Sequence, residues 1–70
     1  MLTDGQIQCM KEDMTVALAQ ILIEERNYSM EQALSTVYNS TTFRKLQNTA
    51  TGFYYRSVGY LFAYLEEELS

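Results

Sequence analysis

From Ile7 to Leu22 the apolar residues Ile7, Met10, Met14, Ala17, Leu18, Ile21 and Leu22 recur at intervals of three and four, and no proline interrupts them. Because 3.6 residues complete a turn, this spacing gathers them on one side of an α-helix. The pattern predicts one long amphipathic helix from Thr3 to about Arg26. Thr3 and Gln6 have the spacing of a capping box, Leu2 and Ile7 flank that cap as a hydrophobic staple, and Asn27 supplies a stop. The chain then repeats the same grammar. Ser29-Met30-Glu31-Gln32 is a second box, followed by Met30, Ala33, Leu34, Val37 and Tyr38 on one face. Asn39-Ser40-Thr41-Thr42 reads as a turn and the cap of a two-turn helix carrying Phe43 and Leu46. Asn48 to Gly52 is the clear loop, with Gly52 placed to take a positive φ. Ser57 caps a last helix whose apolar positions are Val58, Leu61, Phe62, Leu65 and Leu69. The expected fold is all-α: a small bundle of three main helices plus a short two-turn helix, in a single domain over residues 1–70.

A chain of 70 residues buries a limited core, and domains of this size usually add disulfides, a structural metal or a second subunit. One cysteine and no histidine remove the first two routes, so a homo-oligomer, in particular a dimer, is the expected supplement. The single cysteine also points to a reducing cytoplasm. The N-terminus lacks a basic segment followed by an apolar block, and the longest apolar run, Val16 to Ile23, is broken by Gln20; neither a signal peptide nor a membrane association is expected. Five Lys and Arg against nine Asp and Glu leave a net charge of −4, which makes nucleic acid an unlikely partner.

The side chains offer little for catalysis. Acid/base chemistry near neutral pH needs a histidine or a carboxylate held in a pocket with a partner. Here the acids come as sequence neighbours, Glu12-Asp13, Glu24-Glu25 and Glu66-Glu67-Glu68, and adjacent helical positions point about 100° apart. They read as solvated faces. Cys9 has no histidine to activate it and sits among apolar residues. Gly5, Gly52 and Gly59 form no phosphate-binding pattern. No catalytic residue, metal site or cofactor is expected, and the chain is not expected to be an enzyme.

Two features have the character of binding surfaces. Thr51 to Tyr60 packs aromatics, two glycines and an arginine into ten residues. Tyrosine either fills a small core with its hydroxyl at the rim or anchors an interface through a large, rigid ring. Phe53 is expected in the core, and Tyr54, Tyr55, Arg56 and Tyr60 are the candidate binding residues. The second feature is a row of Cys9, Val16 and Ile23, seven apart and nearly opposite the main apolar face of the first helix. It is either covered by the last helix or is a dimer seam. The terminal glutamates, placed where a helix dipole disfavours negative charge, are either a solubilising tail or a contact for a basic partner.

The segment S-T-T-F-R-K-L-Q-N-T-A-T-G-F-Y-Y-R-S-V-G-Y, Ser40 to Tyr60, resembles a group of short bacterial domains of unknown function. Their pattern is matched at Glu31 and Ala33, at Lys45 and Leu46, at Thr51, Gly52, Phe53, Tyr54, Ser57 and Tyr60, and at the terminal glutamates. It departs at Gly59, where Pro or Ala is expected, which loosens the start of the last helix. The resemblance implies an all-helical protein without established enzymatic activity, some members being encoded near toxin-like genes, and hence a partner-binding or antitoxin-like role. The expected function is a small non-enzymatic protein-protein interaction module. The alternative is an acidic helical DNA-binding or transcription-regulating domain.

Overall fold

A computed structural model describes residues 2–69. Among them the chain is all-α. Its elements are α1 (Asp4–Arg26), α2 (Met30–Tyr38), α3 (Thr41–Gln47), two single 3-10 turns at Thr49–Thr51 and Phe53–Tyr55, and α4 (Val58–Leu69). The loop expected at Asn48 to Gly52 holds the first 3-10 turn and the second follows it directly, which lets the ten-residue connection between α3 and α4 satisfy its backbone locally.

Local hydrogen bonding fixes where each helix begins. Gln6 N donates to Thr3 Oγ1 at 3.1 Å and Thr3 N donates to Gln6 Oε1 at 2.9 Å, a reciprocal capping box. Ser29 Oγ accepts from Gln32 N at 3.1 Å, Ser40 Oγ from Phe43 N at 3.0 Å and Ser57 Oγ from Tyr60 N at 3.2 Å. Asn27 ends α1 in the left-handed conformation, φ 57°, with its N–H bonded to the Leu22 carbonyl.

The core joins Leu18, Ala19 and Leu22 of α1 to Ala33 and Val37 of α2, Leu46 of α3, Phe53, and Leu61 and Leu65 of α4. The buried face of α1 is rotated by roughly a quarter turn from the apolar stripe read in the sequence. It runs through Lys11, Thr15, Leu18, Ala19 and Leu22, while Ile7, Met10, Met14, Ala17 and Ile21 are only half-buried. Two polar residues lie on this buried face. Lys11 is 8% exposed and its Nζ donates to the Gln47 carbonyl at 2.7 Å and to Thr49 Oγ1 at 3.2 Å. Thr15 returns its hydroxyl to the Lys11 carbonyl at 2.9 Å, which removes the cost of burying it.

The short helix α3 is held at both ends by charge. Glu68, on the last turn of α4, accepts from Thr41 N at 2.6 Å, Thr42 N at 2.9 Å and Thr42 Oγ1 at 2.5 Å. Lys11 occupies the other end through the Gln47 carbonyl. A carboxylate on the free N–H groups and an ammonium on the final carbonyls both oppose the helix dipole. Seven residues make an intrinsically weak helix, so α3 depends on its tertiary contacts, the burial of Leu46 together with this long-range pairing. No helix among the described residues is long and apolar enough to cross a membrane.

Candidate interaction surface

The aromatic segment is built outward from Gly52. Gly52 adopts φ 72°, and the Tyr55 ring folds so close that a β-carbon on residue 52 would lie 2.6 Å from the Tyr55 hydroxyl. The Thr51 hydroxyl ties this turn to the end of α3 by donating to the Asn48 carbonyl at 2.8 Å and to the Lys45 carbonyl. Phe53 then enters the core at 7% exposure, Tyr54 is half-buried against it, and Tyr55 and Arg56 face solvent. Ser57 starts α4, which displays Tyr60 and Tyr64 one turn apart.

These rings form one connected strip. Phe53 meets Tyr60 edge to face with centroids 5.8 Å apart and Tyr64 at 5.4 Å, and Tyr60 lies 5.3 Å from Tyr64. The Arg56 guanidinium sits between two rings, 5.2 Å from the Tyr60 centroid and 5.5 Å from Tyr55. At the other end Lys45 Nζ is 5.2 Å from the Tyr64 centroid. Each cation over a ring face is attracted by the ring's quadrupole, which biases rotamers without locking them. The Tyr60 and Tyr64 hydroxyls approach to 3.4 Å. That hydrogen bond, with the field of Tyr60, raises the Tyr64 phenol above its ordinary 10.0.

Tyr54 turns the strip toward α1. With Met10, Asp13, Met14, Ala17, Tyr55, Arg56 and Val58 it lines an open groove of about 350 Å³. Of the four candidate binding residues, Tyr55, Arg56 and Tyr60 share the strip and Tyr54 stands on the groove wall. Lys45 and Tyr64 join them, although neither is among the four candidate binding residues. Tyr64 had a signal in its spacing of four from Tyr60, whereas the approach of Lys45 depends on how α3 packs beside α4.

The row Cys9, Val16 and Ile23 is divided. Cys9 is exposed and Val16 is 63% exposed, so α4 does not cover them, while Ile23 packs against the protein's own core. Val16 borders a depression of about 400 Å³ shared with Tyr38 and Phe43, whose rings meet edge to face at 5.1 Å. At the C-terminus Glu68 serves as the cap of α3 rather than as part of a free tail. Among the described residues no group of three or more His, Cys, Asp or Glu is placed to hold a metal ion. No protein-family model, curated protein or solved structure matches the chain.

Proposed function

We propose that this chain is a small non-enzymatic protein-protein interaction module that binds a protein partner through Tyr55, Arg56, Tyr60, Tyr64 and Lys45, with Tyr54 at the edge of the contact. The observation that carries the reading is the connected aromatic strip: Tyr55, Tyr60 and Tyr64 are all more than a third exposed, and two cations stack on them. Tyrosine and arginine are enriched at binding hot spots because they bring large contact area with few rotors and a polar tip. An antitoxin-like role, in which the module occupies a toxin-like protein, is the form of this function that the resemblance of Ser40 to Tyr60 suggests, in a bacterial cytoplasm.

The DNA-binding alternative draws less support. Lys11 is engaged with α3, and α3 itself is only seven residues long, too short to present several side chains along a groove.

Affinity capture from the native cell tests the reading. Wild type should retain a specific protein, and Tyr55→Ala, Arg56→Ala and Tyr60→Ala should each release it with unchanged helical circular dichroism. Equal retention by all three would overturn the assignment. Sequence-specific DNA shifting at low salt would favour the alternative.

A further inference from the structure

The depression of about 400 Å³ beside Val16 lies between α1 and the junction of α2 with α3, and it shares no residue with the aromatic strip. One of its sides is apolar. Tyr38 and Phe43 stand with their planes at 89°, a right-angled corner of two rings, and Val16 continues that wall. The other side is polar: Gln8, Glu12 and Thr15 come from successive turns of α1, and Gln47 from the end of α3.

Glu12 sets the charge of this site. Gln8 Nε2 donates to its Oε1 at 3.4 Å, and no cation among the described residues pairs with it. Lys11, its neighbour in sequence, is held instead by the Gln47 carbonyl and Thr49 Oγ1. The Thr15 hydroxyl already donates to the Lys11 carbonyl at 2.9 Å, so toward a ligand it can act only as an acceptor.

We propose that this depression receives an arginine side chain presented by a polypeptide partner, with the guanidinium in the Tyr38–Phe43 corner and its N–H groups on the Glu12 carboxylate and the amide oxygens of Gln8 and Gln47. The proposal goes beyond the aromatic strip and does not rest on it. Three properties of the site select the occupant. A carboxylate beside two aromatic rings attracts a cation, because both the charge and the ring quadrupoles favour one. Several oxygen acceptors around one corner suit the planar fork of five N–H donors that arginine carries; a quaternary ammonium would leave them unmet, and a strongly hydrated lysine ammonium gains less from a ring face. Val16 offers apolar surface to the methylene stem. The walls also reach solvent, Tyr38 at 54% and Val16 at 63% exposure, so a free small ligand would stay half-wet. A polypeptide covers the rim with its own backbone and flanking side chains. The net charge of −4 assists the approach of a basic segment.

NMR titration with a short peptide holding one arginine between glycines tests the site. Shifts should concentrate at Val16, Tyr38, Phe43 and the side-chain amides of Gln8 and Gln47. Glu12→Gln and Tyr38→Ala should each raise the Kd by about three-fold or more, the effect of losing a charge-assisted hydrogen bond or a ring face. Glu24→Gln, which removes an equal charge from the same helix, should leave it unchanged. Replacing the arginine by citrulline, which keeps the shape and removes the charge, should abolish the shifts. Equal binding of the citrulline peptide, a Kd unmoved by both Glu12→Gln and Tyr38→Ala, or no shifts at about 10 mM peptide overturns the site. Free arginine binding as tightly as the peptide would overturn the polypeptide partner. Tyr55→Ala should bind the arginine peptide like wild type, so failure of this site and failure of the aromatic strip are read separately.

Discussion

At Gly52 two constraints coincide: a left-handed φ of 72° and a Tyr55 ring that fills the space a β-carbon would take. Gly52→Ala should therefore cost about 1–2 kcal/mol from the backbone and swing the Tyr55 ring outward. Gly59 is the contrasting case, a helical glycine around which an added β-carbon meets nothing within 4 Å. Gly59→Ala should stabilise by about 0.5–1 kcal/mol, since alanine lowers the entropy of the unfolded chain without strain. Urea unfolding checks both signs, and a loss of stability in Gly59→Ala would mean that α4 does not begin as described. Single residues also show where the sequence misleads. Lys11 and Thr15 look like solvent positions by polarity, yet both are buried, because one caps α3 and the other bonds its own helix.

Among the elements, α3 is the one whose stability depends most on its neighbours. Burial of Glu68 alone would raise its pKa, but the hydrogen bonds from Thr42 and Thr41 outweigh it and hold the carboxyl below its ordinary 4.5. A carboxyl lowered on folding stabilises above its unfolded value and loses that contribution as pH falls through the folded one. Stability should therefore decline as pH drops below about 4.5, and Glu68→Gln should flatten that part of the decline while costing about 1 kcal/mol at neutral pH, the magnitude of a lost cap. Urea midpoints between neutral and acid pH measure this, and an unchanged acid limb in Glu68→Gln would contradict the clamp. The helix caps were legible because each joins residues three positions apart. The clamp was not: Glu68 reaches Thr42 across 26 positions and Lys11 reaches Gln47 across 36, and no local pattern records either pair.

For the molecule as a whole, periodicity and capping were sufficient to read an all-α chain. They could not orient α1, since its apolar residues occupy more of the circumference than one bundle face covers. That excess leaves the row from Ile7 to Ile21 half-exposed beside the groove. The aromatic segment divided in a similar way, with Phe53 inward, Tyr54 on the groove wall, and Tyr55, Arg56 and Tyr60 outward. Its outward half was readable as a candidate surface, but the contribution of Lys45 and Tyr64 required the packing of α3 beside α4. The central claim, that this strip is the contact face for a protein partner, is tested most directly by amide hydrogen exchange on the chain alone and in complex with the protein it captures. Added protection should concentrate at residues 53–56 and the first turns of α4. Protection confined to α2 and the C-terminal half of α1, with the strip unchanged, would contradict it.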